Sequence, residues 1–195
     1  MKIYYKAKME EKTLDDLRIF ENLDVFRLKG FLNENECNEL IKMYDGVYNI
    51  HKKKNGKVQK FVPFEPIREK LTVYIRERFL DKFNLVYKGM VPDRVRGIMD
   101  NLTFSIHPKG HHLGFHVDTW LGASTVLKFI VYLNRVDGGG TIFVPPGKNP
   151  GKDSLMVEPG IGDLVIFDRS LRHAGAPILD GDKYLLGFRL HWKQI

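Results

Sequence analysis

Residues 157–191 read VEPGIGDLVIFDRSLRHAGAPILDGDKYLLGFRLH. Apolar runs at 163–167, 173–178 and 183–191 are cut apart by Pro, Gly, Asp and Ser clusters, which is the pattern of short strands joined by turns. Pro159-Gly160-Ile161-Gly162 predicts a tight turn, and Leu164-Val165-Ile166-Phe167 predicts a buried strand after it. The same punctuation runs back to residue 97, with further strands near 99–106, 113–118, 126–133, 141–144 and 154–157. Eight short strands at this spacing suggest an all-β barrel or a double-sheet jelly roll, which removes exposed sheet edges. Gly138-Gly139-Gly140 fits a hairpin turn in this series. It has no following G-K-[ST], so it is not a phosphate loop.

The first part of the chain has a different period. Asn33 is an N-cap type residue with Glu36 three positions on, the outline of a capping box, and Cys37, Leu40, Ile41 and Tyr44 repeat at helical spacing over 33–44. Val25-Phe26-Arg27-Leu28 alternates like a short strand. Pro66 opens a second predicted helix to roughly Phe83, with Ile67, Leu71, Ile75 and Phe79 on one face. The expected fold is therefore mostly β with N-terminal helices, a double-stranded β-helix (jelly roll) buttressed by helices. We expect one domain over 1–195, with a helical part of about 1–96 and a jelly-roll core of about 97–195.

Composition narrows the class. The 195 residues, 43% hydrophobic and 12% aromatic, fit a globular chain with a real core. Phe129–Leu133 is the longest apolar run, far short of a membrane span, and MKIYYKAKMEEKT lacks the apolar stretch of a secretory signal. Cys37 stands alone, so neither an internal disulfide nor a cysteine zinc cluster is available, and a cytoplasmic setting is expected. The net charge of +7 is concentrated in HKKKNGKVQK, residues 51–60, which reads as a solvated loop. Without arginine–aromatic interleaving it is weak evidence for a nucleic-acid partner.

Chemistry concentrates in the second part. On a strand, His116 and Asp118 project to one side while Val117 packs on the other. An imidazole and a carboxylate on one face are two thirds of the 2-His-1-carboxylate triad that suits Fe(II) and leaves coordination positions open. His173, at the start of a later strand, is placed where a jelly roll can bring it over the first pair. Lys183 lies amid Tyr184-Leu185-Leu186, and a buried lysine is costly unless paired. A doubly anionic cosubstrate would pair it; a lysine at a strand end with its head in water is the competing reading.

Other constellations are weaker. His112 and His116 have the i, i+4 spacing of a zinc peptidase helix, but Pro108, Gly110 and Gly114 break any helix there. His111 and His112 read as loop residues and His191 as packed or at the surface. Ser124 and Ser170 lack a nucleophile-elbow context.

Three stretches together resemble one family. NLTFSIHPKGHHLGFHVD, LKFIVYLNRVDGGGTIF and VEPGIGDLVIFDRSLRHAGAPILDGDKYLLGFRLHW are similar to the metal strand, the YLN…GG.T.F segment and the closing segment of the prolyl 4-hydroxylase-like 2-oxoglutarate oxygenases. VFRLKGFLNENECNELI resembles that family's leading strand and helix, so the resemblance covers about residues 24–195. It implies that His116, Asp118 and His173 are iron ligands and that Lys183 pairs with the distal carboxylate of 2-oxoglutarate. His107 stands where the family often has a tyrosine near that carboxylate, and Lys128 where it more often has a small hydroxyl residue. On a strand, Lys128 shares a face with Ile130 and Tyr132 and enters the barrel, a second candidate contact to the cosubstrate. Arg189, on the same strand face as Lys183, fits either a cosubstrate contact or an acid at the barrel mouth.

The resemblance implies an Fe(II)- and 2-oxoglutarate-dependent dioxygenase using O2, with ascorbate in support, that hydroxylates a protein or peptide side chain such as proline. Oxidation of a nucleobase or free amino acid, and a non-catalytic metal-binding module, are the alternatives. Specificity is expected in the loops 50–65, 88–97 and 144–153.

Overall fold

The computed structural model describes residues 17–48, 59–61, 71, 73–75, 90–92, 102–118, 127–189 and 192–194. The polypeptide enters through strand β1 (Val25–Leu28) and helix α1 (Glu34–Tyr48). The capping box that opens the helix is closed in both directions. Asn33 N–H donates to Glu36 Oε2 at 2.7 Å, and Glu36 N–H donates to Asn33 Oδ1 at 2.9 Å. The helix buries Cys37 and Leu40, as its period requires. Of the second predicted helix, over 66–83, residues 71 and 73–75 are helical and the rest lies outside the described residues.

Strands β2 (Gln59–Phe61) and β3 (Met90–Pro92) precede the eight that form the roll. These are β4 (Thr103–His107), β5 (Leu113–His116), β6 (Leu127–Tyr132), β8 (Thr141–Val144), β9 (Leu155–Val157), β10 (Leu164–Asp168), β11 (Arg172–Gly175) and β13 (Lys183–Arg189). Short strands β7 (Asp137–Gly138), β12 (Ile178–Asp180) and β14 (Trp192–Gln194) complete the order. Among the described residues the larger sheet runs β1-β10-β6-β13-β4-β2 and the smaller β5-β11-β8-β9. Successive strands cross between the two: β4 in the larger, β5 in the smaller, β6 back in the larger. All the pairings are antiparallel. This is the double-stranded β-helix expected from the strand spacing. No described helix is long and apolar enough to cross a membrane.

The period of two decides what faces the interior of the roll. On β6, Leu127, Phe129 and Val131 belong to the core that also holds Cys37, Leu40, Leu71 and Ile75. Lys128, Ile130 and Tyr132 therefore turn inward between the sheets. On β13, Leu186 and Phe188 join the helix-side core, which turns Lys183 and Leu185 inward. Strand β10 is buried on both faces, with Leu164 and Ile166 in one core and Val165 and Phe167 in the other. Its continuous LVIF run is the consequence.

The turn before β10 is pinned by Asp163. Its carboxylate accepts from Gly30 N–H (2.9 Å), Gly160 N–H (2.8 Å) and Arg27 Nε (2.8 Å), so β1 and the turn share one buried anion. Gly162, at φ +74°, packs so close to Leu32 that a Cβ would lie 1.8 Å from its carbonyl oxygen. Only glycine fits both demands.

Several boundaries differ from the sequence reading. The predicted strand 113–118 ends at His116, and the run 173–178 breaks after Gly175 into β11 and β12. The run 183–191 is strand β13 as far as Arg189, and residues 190–191 lie outside the described residues. Gly138-Gly139-Gly140 is not a hairpin turn between neighbours: β6 and β8 lie in different sheets and β7 pairs with β12. The glycines form a crossover, two of them at positive φ. In the predicted loop 51–60, Gln59 and Lys60 instead belong to β2, paired with β4; the remainder lies outside the described residues.

Candidate metal centre and cosubstrate cavity

His116 and His173 are Cα partners across the β5–β11 ladder, and the register shifts just beyond His173. Their rings stand 4.3 Å apart between centroids. Each imidazole has its Nδ1 2.9 Å from a backbone carbonyl, Gly114 for His116 and Leu171 for His173. A carbonyl can only accept, so each Nδ1 carries the hydrogen and each Nε2 keeps its lone pair for a metal.

Asp118 lies two residues past the end of β5, yet it reaches the same point. Its N–H donates to the Arg169 carbonyl at 3.1 Å, and Arg169 Nε donates back to the Asp118 carbonyl at 2.8 Å. This reciprocal clamp keeps the β5 direction beyond the ladder. The carboxylate Oδ1 is 3.6 Å from His116 Nε2, and Oδ2 is 3.9 Å from His173 Nε2. One ligand atom from each of the three residues falls within 4.8 Å of the others, so the set could hold a metal ion. Two neutral imidazole nitrogens and one carboxylate on one side of an ion leave the opposite side open.

The electrostatics suit that use. Burial pushes the His173 imidazole down to about 4, so it is neutral and free to ligate at ordinary pH. Burial works to raise the Asp118 carboxyl, but the Lys128 ammonium beside it and the two imidazoles hold it below the usual carboxylate range. Lys128 Nζ donates to Asp118 Oδ2.

The two imidazoles and Lys128 line a cavity of about 580 Å³ between the sheets. Lys183 lines it too and is only 6% exposed. Its Nζ donates to the Gly139 carbonyl and lies 4.8 Å from the Tyr132 ring centre. Among the described residues no carboxylate pairs with it. Burial alone pulls the ammonium down to about 8, the behaviour of a cation lacking a counter-ion. Beneath it Tyr132 Oη hydrogen-bonds Thr141 Oγ1. His107, the Cα partner of Lys183, also lines the cavity, held by Ser105 Oγ at 3.1 Å and beside His111 at 3.5 Å.

The structure thus brings together all six residues singled out from sequence: His107, His116, Asp118, Lys128, His173 and Lys183. It places Lys128 on the Asp118 carboxylate. Arg189 is the Cα partner of Lys128 on the neighbouring strand; its side chain lies outside the described residues. Arg169 was not picked out from sequence. No motif marks it, since its role depends on a contact between segments 51 positions apart. Tyr132 and Thr141 were legible only as part of the YLN…GG.T.F segment.

Comparison with known proteins agrees with this geometry. Residues 102–191 match the model of the 2OG-Fe(II) oxygenase superfamily. That stretch holds all three candidate ligands and Lys183, and the match, with the structural neighbours, supports a 2-oxoglutarate-dependent dioxygenase using Fe(II) and 2-oxoglutarate. Among solved structures, HygX from Streptomyces hygroscopicus with nickel and 2-oxoglutarate bound is similar at TM-score 0.68 and 14% identity, over 93% of this chain and 88% of that one. A Pseudomonas putida prolyl-4-hydroxylase is similar at TM-score 0.59 and 16% identity, over 91% and 96%. A viral collagen prolyl hydroxylase from Paramecium Bursaria Chlorella virus-1 gives 0.56 and 21%, over 86% and 95%. At these identities the likeness is one of fold. No curated protein matches the sequence.

Proposed function

We propose that this chain is a hydroxylase in which His116, Asp118 and His173 hold Fe(II), Lys183 receives the distal carboxylate of 2-oxoglutarate, and the substrate is a protein side chain, proline first. The observation that carries the reading is one cavity lined by His116 and His173, whose ligand atoms lie with that of Asp118 within 4.8 Å of one another, and by a buried lysine that meets no carboxylate among the described residues. Bound iron with 2-oxoglutarate and O2 would supply the oxidising chemistry: one oxygen atom of O2 goes into succinate as 2-oxoglutarate loses carbon dioxide, and the other turns a C–H bond of the substrate into C–OH. The protein's own part is placement. The carbonyls of Gly114 and Leu171 fix both imidazole tautomers, and the Arg169 clamp fixes Asp118. Lys183 exchanges its weak backbone partner for a carboxylate, a charge-assisted bond in a site shielded from water. His107, the Cα partner of Lys183, would be a second contact to the same carboxylate. Ascorbate would support turnover by keeping the iron ferrous.

A protein substrate draws support from the two prolyl hydroxylases among the structural neighbours. Oxidation of a small polar molecule is the second reading, favoured by HygX, which has also been solved with hygromycin B bound. We read the chain as one oxygenase domain working in the cytoplasm, with its lone cysteine, Cys37, buried and unpaired.

One experiment separates these. Purified protein with Fe(II), ascorbate and 2-oxoglutarate is incubated with a proteome digest and, separately, with small-molecule extract, and both are read by mass spectrometry for a gain of one oxygen. Oxygen gain in peptides that requires 2-oxoglutarate is expected; gain confined to the small molecules would replace the first reading by the second.

A further inference from the structure

The backbone of Asp118 does not depend on Lys128 for its place. Its backbone is already held on both sides by Arg169, N–H to carbonyl at 3.1 Å and guanidinium to carbonyl at 2.8 Å. Lys128 acts on the side chain of Asp118 and not on its backbone, through Oδ2. Its aim is set by its strand: it sits in β6, opposite Phe167 on one side and Arg189 on the other, and period two turns it inward with Ile130 and Tyr132. The pair is substantially withdrawn from water, with side chains 23% and 14% exposed. A cation has therefore been built onto one oxygen of a carboxylate in the candidate metal set.

Resting on the reading of His116, Asp118 and His173 as metal ligands, we propose that Lys128 is a positioning residue that holds Asp118 Oδ2, restricts the carboxylate to a single donor oxygen, Oδ1, and lowers the affinity of the site for metal. In the unloaded protein its ammonium balances the Asp118 charge. When a dication arrives, the same ammonium repels it from a few ångströms away and keeps half of the carboxylate to itself. Both effects act against metal binding, and both vanish with the charge.

The test is titration of Mn(II), which needs no oxygen or cosubstrate, into metal-free wild-type protein, Lys128→Met and Lys128→Arg. Lys128→Met keeps the length and apolar stem without the charge. It is expected to bind Mn(II) at least roughly tenfold more tightly than wild type. Lys128→Arg, with the cation restored, is expected to stay within about threefold of wild type. Co(II) loaded into the same proteins gives a second readout, because its visible absorption follows coordination number: the bands shift in Lys128→Met and not in Lys128→Arg. A residue needed only for folding would weaken binding when replaced, not strengthen it. Equal or weaker Mn(II) binding by Lys128→Met overturns the proposal; if that variant fails to fold, Lys128→Gln takes its place under the same criterion. Wild type that binds no Mn(II) or Co(II) removes the metal-site reading itself, whereas ordinary binding with no gain in the variant removes only the role of Lys128.

Discussion

Two inward-facing lysines line the same cavity and are in opposite electrostatic states. Lys128 donates to the Asp118 carboxylate, and the pair is neutral as it stands. Lys183 is 6% exposed and has a backbone carbonyl and an aromatic face for company. A buried ammonium with neutral partners costs stability, so the protein carries it at a loss that only an anion can return. The difference separates what is compensated internally from what is held ready for a ligand. A lysine in a site is not by itself an anion receptor; the proposed receptor is Lys183, which meets no acid among the described residues.

The largest effect should come from the proposed metal ligands. His173→Ala or His116→Ala should lower metal affinity by more than about 100-fold and take turnover to background, since even residues behind the ligands cost 10–100-fold in such sites. Metal titration checks the first and succinate formation the second. Retained tight binding in either variant would detach the comparison from any metal.

Next in size is Lys183→Met. Loss of the charge-assisted bond should weaken 2-oxoglutarate binding by about 3 kcal/mol, roughly 100-fold. The cosubstrate-free variant should at the same time be more stable than wild type, by about 1 kcal/mol, because an unpaired buried charge is gone. Lys128→Met should do the reverse and destabilise the metal-free protein by leaving Asp118 uncompensated. Calorimetric titration and thermal melts read the two arms, and equal stability changes in both variants would erase the distinction.

A pH series sharpens it. Burial holds Lys183 down at about 8, so in the cosubstrate-free protein the receptive ammonium is lost as pH rises through about 8. The bound dianion favours the charged form, so binding takes up a proton above that pH. KM for 2-oxoglutarate should be flat below about pH 7.5 and rise above it, by up to about tenfold per pH unit. The rise should disappear in Lys183→Arg, whose guanidinium stays charged.

The smallest effect is expected from Tyr132→Phe. It removes the hydroxyl that bonds Thr141 and leaves the ring 4.8 Å from the Lys183 ammonium. Stability should drop by about 1 kcal/mol with little change in cosubstrate affinity. A large loss of affinity would mean that the hydroxyl, and not only the ring, serves the lysine.

How much of this the chain discloses before folding depends on the range of the interaction involved. Strand parity is local, so the shared side of His116 and Asp118 and the inward turn of Lys128 and Lys183 could be read directly. The capping box at Asn33 and Glu36 is equally local and is found closed. The strand limits were harder. His116 ends β5, and Asp118 keeps its direction only because Arg169 takes over from the ladder. That exchange joins distant segments and leaves no periodic trace. The Gly138-Gly139-Gly140 crossover looked like a hairpin because both use positive φ, and only sheet membership tells them apart. The partner of Lys128 was out of reach for the same reason. Its inward aim is a matter of parity, but which group it meets depends on how β6 faces the end of β5.

The measurement that bears most directly on the account is succinate formation from 2-oxoglutarate by the purified protein with Fe(II) under air, beside His116→Ala, Asp118→Ala and His173→Ala. Iron-dependent succinate is expected from wild type, and none above background from any of the three variants. Succinate formed equally well by the variants would contradict the account, because the chemistry would then be taking place somewhere other than the point where those three side chains meet.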